Sequence, residues 1–245
     1  MSAPEVSVVV PLYRTAAAVP ELGRRVSASL DGAGLAYELV LVDDACPAGS
    51  GEAAASLAAV DQRVRPLLLP ANVGQHAAVL AGLARARGSW AAVLDGDLQD
   101  PPEAIPQLLT AGREQGVPVV FAGRRGRYES RARLLTSVLY KRTLSLLVGV
   151  PRDAGVFVVL ERPVVDRLLG MRSRRRPSLV AMIGCTGAPM RSVPVERAPR
   201  PEGGSSYSAL GRLRLGWRAV VWVVSWKVGR RLGGGEEVAG GRADA

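Results

Sequence analysis

Two aspartates separated by one glycine are the residues of this sequence best placed to bind a metal ion. Asp95 and Asp97 follow directly after the apolar run Trp90–Leu94, which is typical of a buried β-strand. Both carboxylates can point toward one hard cation, because Gly96 lets the backbone turn between them. Mg²⁺ and Mn²⁺ prefer oxygen ligands and often bridge protein carboxylates to substrate phosphates. The position at a strand end favours a Mg²⁺ or Mn²⁺ site here over the solvated turn that an isolated Asp-Gly pair usually forms.

A second acidic pair, Asp43 and Asp44, ends the apolar run Glu38–Val42. An acidic side chain at this place can hydrogen-bond a ribose or a base N–H. It can equally form a turn or cap a helix that begins near Ser50. From the residues alone, both interpretations stand.

The segment Asn72-Val73-Gly74 leads into a third element of interest, a predicted helix whose N-terminus can face an anion. We interpret His76 as a helix-start residue that makes one hydrogen bond rather than as a catalytic group. One face of the helix carries small residues that permit close packing against a sheet: Ala77, Ala78, Ala81 and Gly82.

The elements that must position these residues alternate between apolar runs and amphipathic stretches through the first 120 residues. This alternation predicts an α/β fold with a mostly parallel central sheet and helices on both faces, in which ligands bind at the carboxyl ends of the strands. The predicted strands are 6–10, 38–42, 64–69, 90–94 and 117–122, and the predicted helices are 19–30, 51–60, 75–87 and 102–114.

After residue 123 the pattern becomes less regular. We predict helices over 131–148, 163–169, 177–183 and 210–232, strands over 156–160 and 190–195, and a flexible loop over 198–208. The glycine-rich residues 233–245 are predicted to be a disordered tail.

Composition excludes several classes of site. The chain has 245 residues, enough for one large domain with a sizeable core. Two cysteines exclude a disulfide scaffold and a four-cysteine zinc site, and one histidine argues against a His-rich metal site or a Ser-His-Asp triad.

Charge is distributed unevenly along the chain. Residues 1–120 carry 8 basic and 13 acidic side chains, a formal charge of −5, whereas residues 121–245 carry 24 and 9, a charge of +15. The C-terminal half is therefore expected to meet anions such as phosphates, acidic lipids or nucleic acid. The aromatic content of 4% is low, and the sequence has no recognisable DNA- or RNA-binding motif. Both observations argue against a nucleic-acid-binding protein.

We expect a cytoplasmic protein, because no signal peptide is visible and no apolar run reaches the ~18 residues of a membrane span. Trp217, Trp222 and Trp226 fall within ten residues of the basic C-terminal segment. Two interpretations remain open for the helix 210–232. It lies on an anionic membrane surface, or it docks its apolar face on the core of the domain.

Five motifs occur in the order seen in family 2 glycosyltransferases, and the sequence resembles that family over residues 5–215. The similarity is greatest to the branch that contains dolichyl-phosphate mannose synthase and bacterial undecaprenyl-phosphate sugar transferases. The most specific motif is the D-G-D-L-Q-D-P-P-E string within Leu94–Glu103. The others are Val8–Tyr13, Val42–Asp44, Asn72–Gln75 and Arg200–Tyr207.

This resemblance implies a GT-A nucleotide-diphospho-sugar domain over residues 1–209, followed by the amphipathic helix 210–232. It also implies an inverting transfer that depends on Mg²⁺ or Mn²⁺, with a nucleotide-sugar donor. The donor residues that it implies are Pro11 and Tyr13 at the base, Asp43 at the nucleoside, Asp95 and Asp97 at the metal and diphosphate, Gln99 near the sugar, and Arg200 and Ser205 in a mobile loop.

For the acceptor, the resemblance implies a polyprenyl phosphate held by Arg125, Arg133 and Ser137. A phosphate is already ionised near pH 7 and needs no strong base. If the acceptor is instead a hydroxyl of a soluble natural product or glycan, a general base is required, and Asp153 is the candidate. The chain departs from the usual family residues at Arg14, Val156 and Val158, among other positions. We expect no counterpart in residues 1–245 of the pair of C-terminal membrane helices found in many bacterial relatives.

Overall fold

A seven-stranded sheet forms the centre of the protein in the computed structural model, which describes residues 3–125, 142–171, 178–197 and 220–227. The strand order is β3-β2-β1-β4-β6-β5-β7, and all strands run parallel except β6, which is antiparallel to both of its neighbours. The strands are β1 Val6–Leu12, β2 Tyr37–Asp43, β3 Val64–Leu68, β4 Trp90–Val93, β5 Val119–Arg125, β6 Val158–Glu161 and β7 Met190–Glu196.

Helices cover both faces of the sheet, as the strand–helix alternation predicts. Every residue of β1 and β2 is buried, because each face of these strands contacts a separate apolar core. The helices are α1 Val19–Gly32, α2 Ser50–Val60, α3 Gln75–Leu83, α4 Ile105–Glu114, α5 142–148, α6 Arg162–Gly170, α7 Leu179–Cys185 and α8 220–227. None of those in the described parts of the chain has the length and apolar character needed to span a bilayer.

Helix α3 ends at Leu83, four residues before the predicted end. The reason is a buried carboxylate that accepts a hydrogen bond from a backbone N–H of the segment after the helix. Glu38 in β2 accepts hydrogen bonds from the Arg87 N–H at 2.7 Å and from the Ser7 hydroxyl at 2.7 Å. A buried carboxylate needs such partners, so the chain leaves the helix to supply them.

Close contact between α3 and the sheet depends on Gly82. A Cβ at this position would lie 2.5 Å from Val9 Cγ1 and 2.7 Å from Val42 Cγ2, both in the buried core. The small residue thus allows α3 to lie directly on β1 and β2, and this contact sets where the start of α3 meets the ends of those strands.

Replacing Gly82 with Ala is expected to lower the free energy of unfolding by about 1–3 kcal/mol, because the added methyl overpacks the core. Urea denaturation measures the change. The matched control is Gly170→Ala at the end of α6, where a Cβ meets nothing within 4 Å. The close-packing account is wrong if Gly82→Ala is as stable as this control.

Candidate functional site

The carboxyl ends of β1, β2 and β4 lie side by side, since these strands are parallel neighbours. Among the described residues, three non-glycine residues have positive φ, and each follows one of these strand ends: Arg14 (57°) after β1, Ala45 (49°) after β2 and Leu98 (62°) after β4. Left-handed backbone is unfavourable for residues with a Cβ and often marks functional sites. The strained loops therefore gather at one edge of the sheet.

The Asp95-Gly96-Asp97 turn packs directly against the end of β1. A Cβ on Gly96 would lie 3.0 Å from Leu12 Cδ2 and 3.3 Å from the Pro11 carbonyl oxygen. A side chain at this position would be in tight contact with β1, so Leu12 or the Pro11 carbonyl would have to shift by a few tenths of an ångström. The turn that carries the two carboxylates therefore lies against the end of β1.

Hydrogen bonds from two nearby glutamines help to orient these carboxylates. The Gln75 side-chain amide at the start of α3 donates to Asp95 Oδ1 at 2.5 Å. The Gln99 backbone N–H donates to Asp97 Oδ1 at 3.1 Å, which closes a local turn within residues 95–100, the carboxylate loop.

The residues present fit a divalent metal ion that takes some of its ligands from the protein and the others from a substrate. Asp95 and Asp97 supply carboxylate oxygens, the donor type that Mg²⁺ and Mn²⁺ select. Within residues 3–125, 142–171, 178–197 and 220–227, no group of three or more His, Cys, Asp or Glu side chains could hold a metal ion. The remaining ligands would thus come from phosphate oxygens or water, which is the usual arrangement for Mg²⁺.

The tandem aspartates at the end of β2 have different environments. Both oxygens of Asp44 are engaged, accepting from the Val73 N–H at 2.7 Å and the Gly74 N–H at 2.9 Å. Asp43 is 7% exposed, and its Oδ2 accepts from the Cys46 N–H at 3.3 Å, while its Oδ1 is buried without a protein partner. A buried oxygen without a partner is costly, so Asp43 is the member of the pair suited to receive a ligand N–H or O–H.

Electrostatics agree with this difference between the two aspartates. Burial, together with the neighbouring charge of Asp44, raises the pKa of Asp43 above the usual range of a carboxyl group. Asp44 meanwhile supplies the anion that the N–H groups leading into α3 were expected to face. The Val73 and Gly74 N–H groups before α3 therefore bind a carboxylate of the protein itself, that of Asp44.

Pro11 is buried at the end of β1, and Tyr13 next to it is exposed over 44% of its surface. The Arg14 guanidinium lies over the Tyr13 ring, 5.6 Å from its centroid. Tyr13 follows Leu12, whose backbone pairs with Asp43, so an exposed ring on which a base can stack lies next to this strand end.

Asp153 lies at a different part of the sheet, against β5 and β7, and β6 separates this pair from β4. Its Oδ2 accepts from the Ser192 hydroxyl at 2.7 Å, and a Cβ on Gly123 would come within 2.2 Å of the same oxygen. Asp153 thus sits over β5 two residues before Arg125, whose backbone pairs with Glu196. Arg133, Ser137, Arg200 and Ser205 fall outside the described residues, so their roles stay predictions.

Sequence reasoning missed two side chains that meet the carboxylate loop, Gln75 and Arg197. The Arg197 guanidinium follows β7 and lies 4.0 Å from Asp95 Oδ2. Gln75 belongs to the Asn72–Gln75 motif, which is a usable signal. Nothing in the sequence marks Arg197, because β7 is brought to the loop only by the tertiary structure.

Cys46 lies beside Asp43 with its sulfur turned toward hydrogen-bond donors. The sulfur accepts from the Arg14 N–H at 3.0 Å, from the Ala48 N–H at 3.4 Å and from the Ser50 hydroxyl at 3.4 Å. Burial by itself would raise the pKa of the Cys46 thiol, but these hydrogen bonds outweigh burial and lower it. The thiolate is therefore more abundant at neutral pH than in an ordinary cysteine.

We expect iodoacetamide to alkylate Cys46. If the nucleotide-sugar that the family resemblance implies binds at Asp43, it should protect Cys46 from alkylation. At a donor concentration ten times its Kd, the rate should fall about tenfold, because only free enzyme reacts. Mass spectrometry of timed digests measures the rate, and the buried Cys185 serves as an internal control. An unchanged rate at saturating donor would place the donor away from Asp43.

Helix α8 docks on the core through one face. Val223 is fully buried, and Trp222 and Trp226 pack against the same apolar core with their rings stacked at a centroid distance of 5.4 Å. Val221 and Val224 stay exposed over 45% and 44% of their surfaces. The docking interpretation therefore holds for the tryptophan face of α8, whereas Trp217 lies outside the described residues.

Comparison with known proteins gives the family to which this chain belongs. The family described as Glycosyl transferase family 2 matches residues 7–178, more than two thirds of the chain. This chain belongs to family 2 of the glycosyltransferases. The resemblance found in its motifs is thereby confirmed.

Among curated members of family 2, the chain is 34% identical over 222 residues to the undecaprenyl-phosphate 4-deoxy-4-formamido-L-arabinose transferases of Salmonella paratyphi A and Salmonella dublin. The match covers 86% of this chain and 65% of each relative. The chain thus spans slightly less than two thirds of the length of these relatives.

Solved structures confirm the GT-A fold. Mannosyl-3-phosphoglycerate synthase from Rubrobacter xylanophilus matches with a TM-score of 0.64 at 19% identity, over 98% of this chain and 79% of that one. Glucosyl-3-phosphoglycerate synthase from Mycobacterium tuberculosis, solved with Mn²⁺, UDP-glucose and phosphoglyceric acid, matches with a TM-score of 0.63 at 17% identity, over 97% and 82%.

Proposed function

We propose that this family 2 glycosyltransferase moves a sugar from a nucleotide-diphospho-sugar to a polyprenyl phosphate with inversion at the anomeric carbon. One observation carries the proposal. The buried Asp43 carboxylate, which has an oxygen without a protein partner, and the Asp95–Asp97 turn both lie at the same edge of the sheet. The names of the 34% identical relatives support the acceptor class.

In the proposed donor complex, Tyr13 stacks on the base and Asp43 accepts an N–H or O–H of the nucleoside. Asp95 and Asp97 would hold a divalent metal, which when bound neutralises the charge of the diphosphate. Mn²⁺ in the related solved structures supports a divalent ion, and we propose Mn²⁺ or Mg²⁺ for this chain. Gln99 lies in the same loop and is proposed to face the sugar.

In the transfer step, an ionised oxygen of the acceptor phosphate attacks the anomeric carbon while the bond from that carbon to the nucleotide diphosphate breaks. The electron pair leaves with the diphosphate, so no proton has to be removed from the acceptor. Arg125, Arg133 and Ser137 are proposed to hold the acceptor phosphate. The +15 charge of residues 121–245 supports an anionic acceptor on this half of the chain.

The test begins with a thermal-shift panel of UDP-, GDP- and dTDP-sugars with and without Mn²⁺, because binding raises the melting temperature by mass action. The donor found is then supplied with undecaprenyl phosphate in detergent, and transfer is followed by mass spectrometry of the lipid. A metal-dependent lipid product supports the proposal. Donor binding followed by transfer only to soluble hydroxyl acceptors, lost in Asp153→Asn, would overturn the lipid acceptor in favour of a base-dependent reaction.

For the cellular location, we propose that the catalytic domain, residues 1–209, acts at the cytoplasmic face of a membrane through the segment 210–232. Val221 and Val224 are exposed on α8, three residues apart, and Lys227 follows three residues later, with its ammonium donating to the Leu147 carbonyl. Apolar strips flanked by basic residues favour anionic membrane surfaces. Residues 233–245, predicted from the sequence to be a disordered tail, lie outside the described residues.

The double substitution Val221→Ser, Val224→Ser is expected to weaken binding to anionic vesicles by about tenfold or more, because two apolar side chains lose their burial in the lipid. Co-sedimentation with vesicles containing phosphatidylglycerol measures binding at low and high salt. The matched control is Val60→Ser, an exposed valine on α2. Equal binding by both proteins would contradict membrane contact through α8.

A further inference from the structure

Arg197 and Asp100 form a nearly buried ion pair beside the proposed diphosphate site. Asp100 is 2% exposed and accepts from Arg197 Nε at 2.5 Å. The Arg197 side chain is 17% exposed, and its Nη2 lies 4.0 Å from Asp95 Oδ2. The Arg197 guanidinium therefore lies between the buried Asp100 carboxylate and the Asp95 carboxylate, which is the one assigned to the metal.

The geometry of this pair separates an anchoring end from a recognition end. Asp100 engages the Nε edge of the guanidinium, while the Nη2 group is directed toward Asp95. An arginine held in this way presents its N–H groups in a fixed orientation, which lowers the entropy lost when an anion binds.

Charge also favours a role for Arg197 when a donor is bound. Asp95, Asp97 and Asp100 place three carboxylates within six residues, and a diphosphate would bring further negative charge to the same loop. Arginine matches phosphate oxygens in a bidentate geometry, and it is always ionised.

We propose that Arg197 is a ligand of the donor diphosphate and that Asp100 is the positioning residue that fixes it. This inference rests on the proposed function and adds to it a cation supplied by the end of β7. Leaving-group charge would then be neutralised from both sides of the diphosphate, by the metal site and by Arg197.

The experiment measures the affinity for inorganic pyrophosphate at saturating Mn²⁺ by calorimetry, so that the unidentified sugar and nucleotide play no part. Arg197→Gln is expected to weaken binding about tenfold or more, the size of a lost charge-assisted hydrogen bond. Arg197→Lys, which keeps the charge without the planar fork, should fall between this variant and the wild type. The matched control is Arg191→Gln at the opposite end of β7, about 20 Å away along the strand.

Asp100→Asn tests the positioning role. The substitution should weaken pyrophosphate binding in the wild-type background. It should have no further effect on binding in an Arg197→Gln background, because Asp100 acts through Arg197. Melting temperatures show which variants are folded. If Arg197→Gln is not folded, the pyrophosphate affinity of Arg197→Lys tests the role of Arg197 instead.

The possible outcomes separate this inference from the proposed function. Wild-type affinity in the folded Arg197 variants, or losses that add in the double variant, would overturn the assignment of Arg197 and Asp100 while leaving the donor site intact. A wild-type protein that does not bind pyrophosphate with Mn²⁺ would contradict the metal–diphosphate site itself.

Discussion

Asp95→Asn and Asp97→Asn are each expected to abolish Mn²⁺-dependent donor binding while leaving the fold unchanged. Either change removes an anionic oxygen from the proposed metal site and keeps the size of the side chain. Losing a charged partner from a desolvated ion contact costs about 3 kcal/mol or more, equivalent to at least about a hundredfold in affinity. Turnover should fall at least as far, because the leaving diphosphate loses its counter-charge.

Calorimetric titration of the nucleotide-sugar with and without Mn²⁺ measures this effect. Asp166→Asn is the matched control, since Asp166 carries the same side chain in an exposed ion pair on α6. Circular dichroism verifies the fold of all three variants. A variant of Asp95 or Asp97 that retains wild-type turnover and metal response would show that the metal assignment is wrong.

The tandem aspartates should give opposite results when each is replaced by Asn. Asp43→Asn is expected to weaken donor binding about tenfold or more, because a charged acceptor is lost from the ligand. Its stability should change little, since the Cys46 N–H can still donate to the amide oxygen and a buried charge is removed. Asp44→Asn should instead lower the free energy of unfolding by about 2–3 kcal/mol, because one of two charge-assisted hydrogen bonds to Val73 and Gly74 is lost.

Donor affinity of the wild type should also fall with decreasing pH. The raised pKa of Asp43 means that its ionised form is lost at a higher pH than for an ordinary carboxyl group. Ionised Asp43 accepts the donor hydrogen bond, so affinity decreases as the pH falls through that pKa. In Asp43→Asn the part of this dependence that comes from Asp43 should be absent. Equal donor affinities for Asp43→Asn and the wild type would remove Asp43 from the nucleoside site.

The sequence alone was sufficient to predict the α/β class, the parallel strands that lead to Asp43 and Asp95, and the family. These features depend on local patterns. β-branched runs predict buried strands, and the carboxyl ends of parallel strands meet at one edge. The motif at Asp95–Glu103 carries the family signal in a contiguous segment, so it needs no knowledge of distant contacts.

Element ends were predicted less well, because distant side chains decide them. Helix α3 stops at Leu83 since Glu38, far away in the chain, takes the Arg87 N–H. The antiparallel direction of β6 is likewise a property of the sheet, which the short apolar run at 156–160 does not contain.

Only the tertiary structure distinguished Asp43 from Asp44 and brought Arg197 to the carboxylate loop. Both aspartates follow the same strand and look equivalent in sequence, but the loop 72–74 returns to satisfy one of them and leaves an oxygen of the other without a partner. Arg197 lies 97 residues from Asp100 along the chain and meets it because β7 extends the sheet on the far side of β5. Such contacts depend on strand order and loop closure, which local residue patterns do not encode.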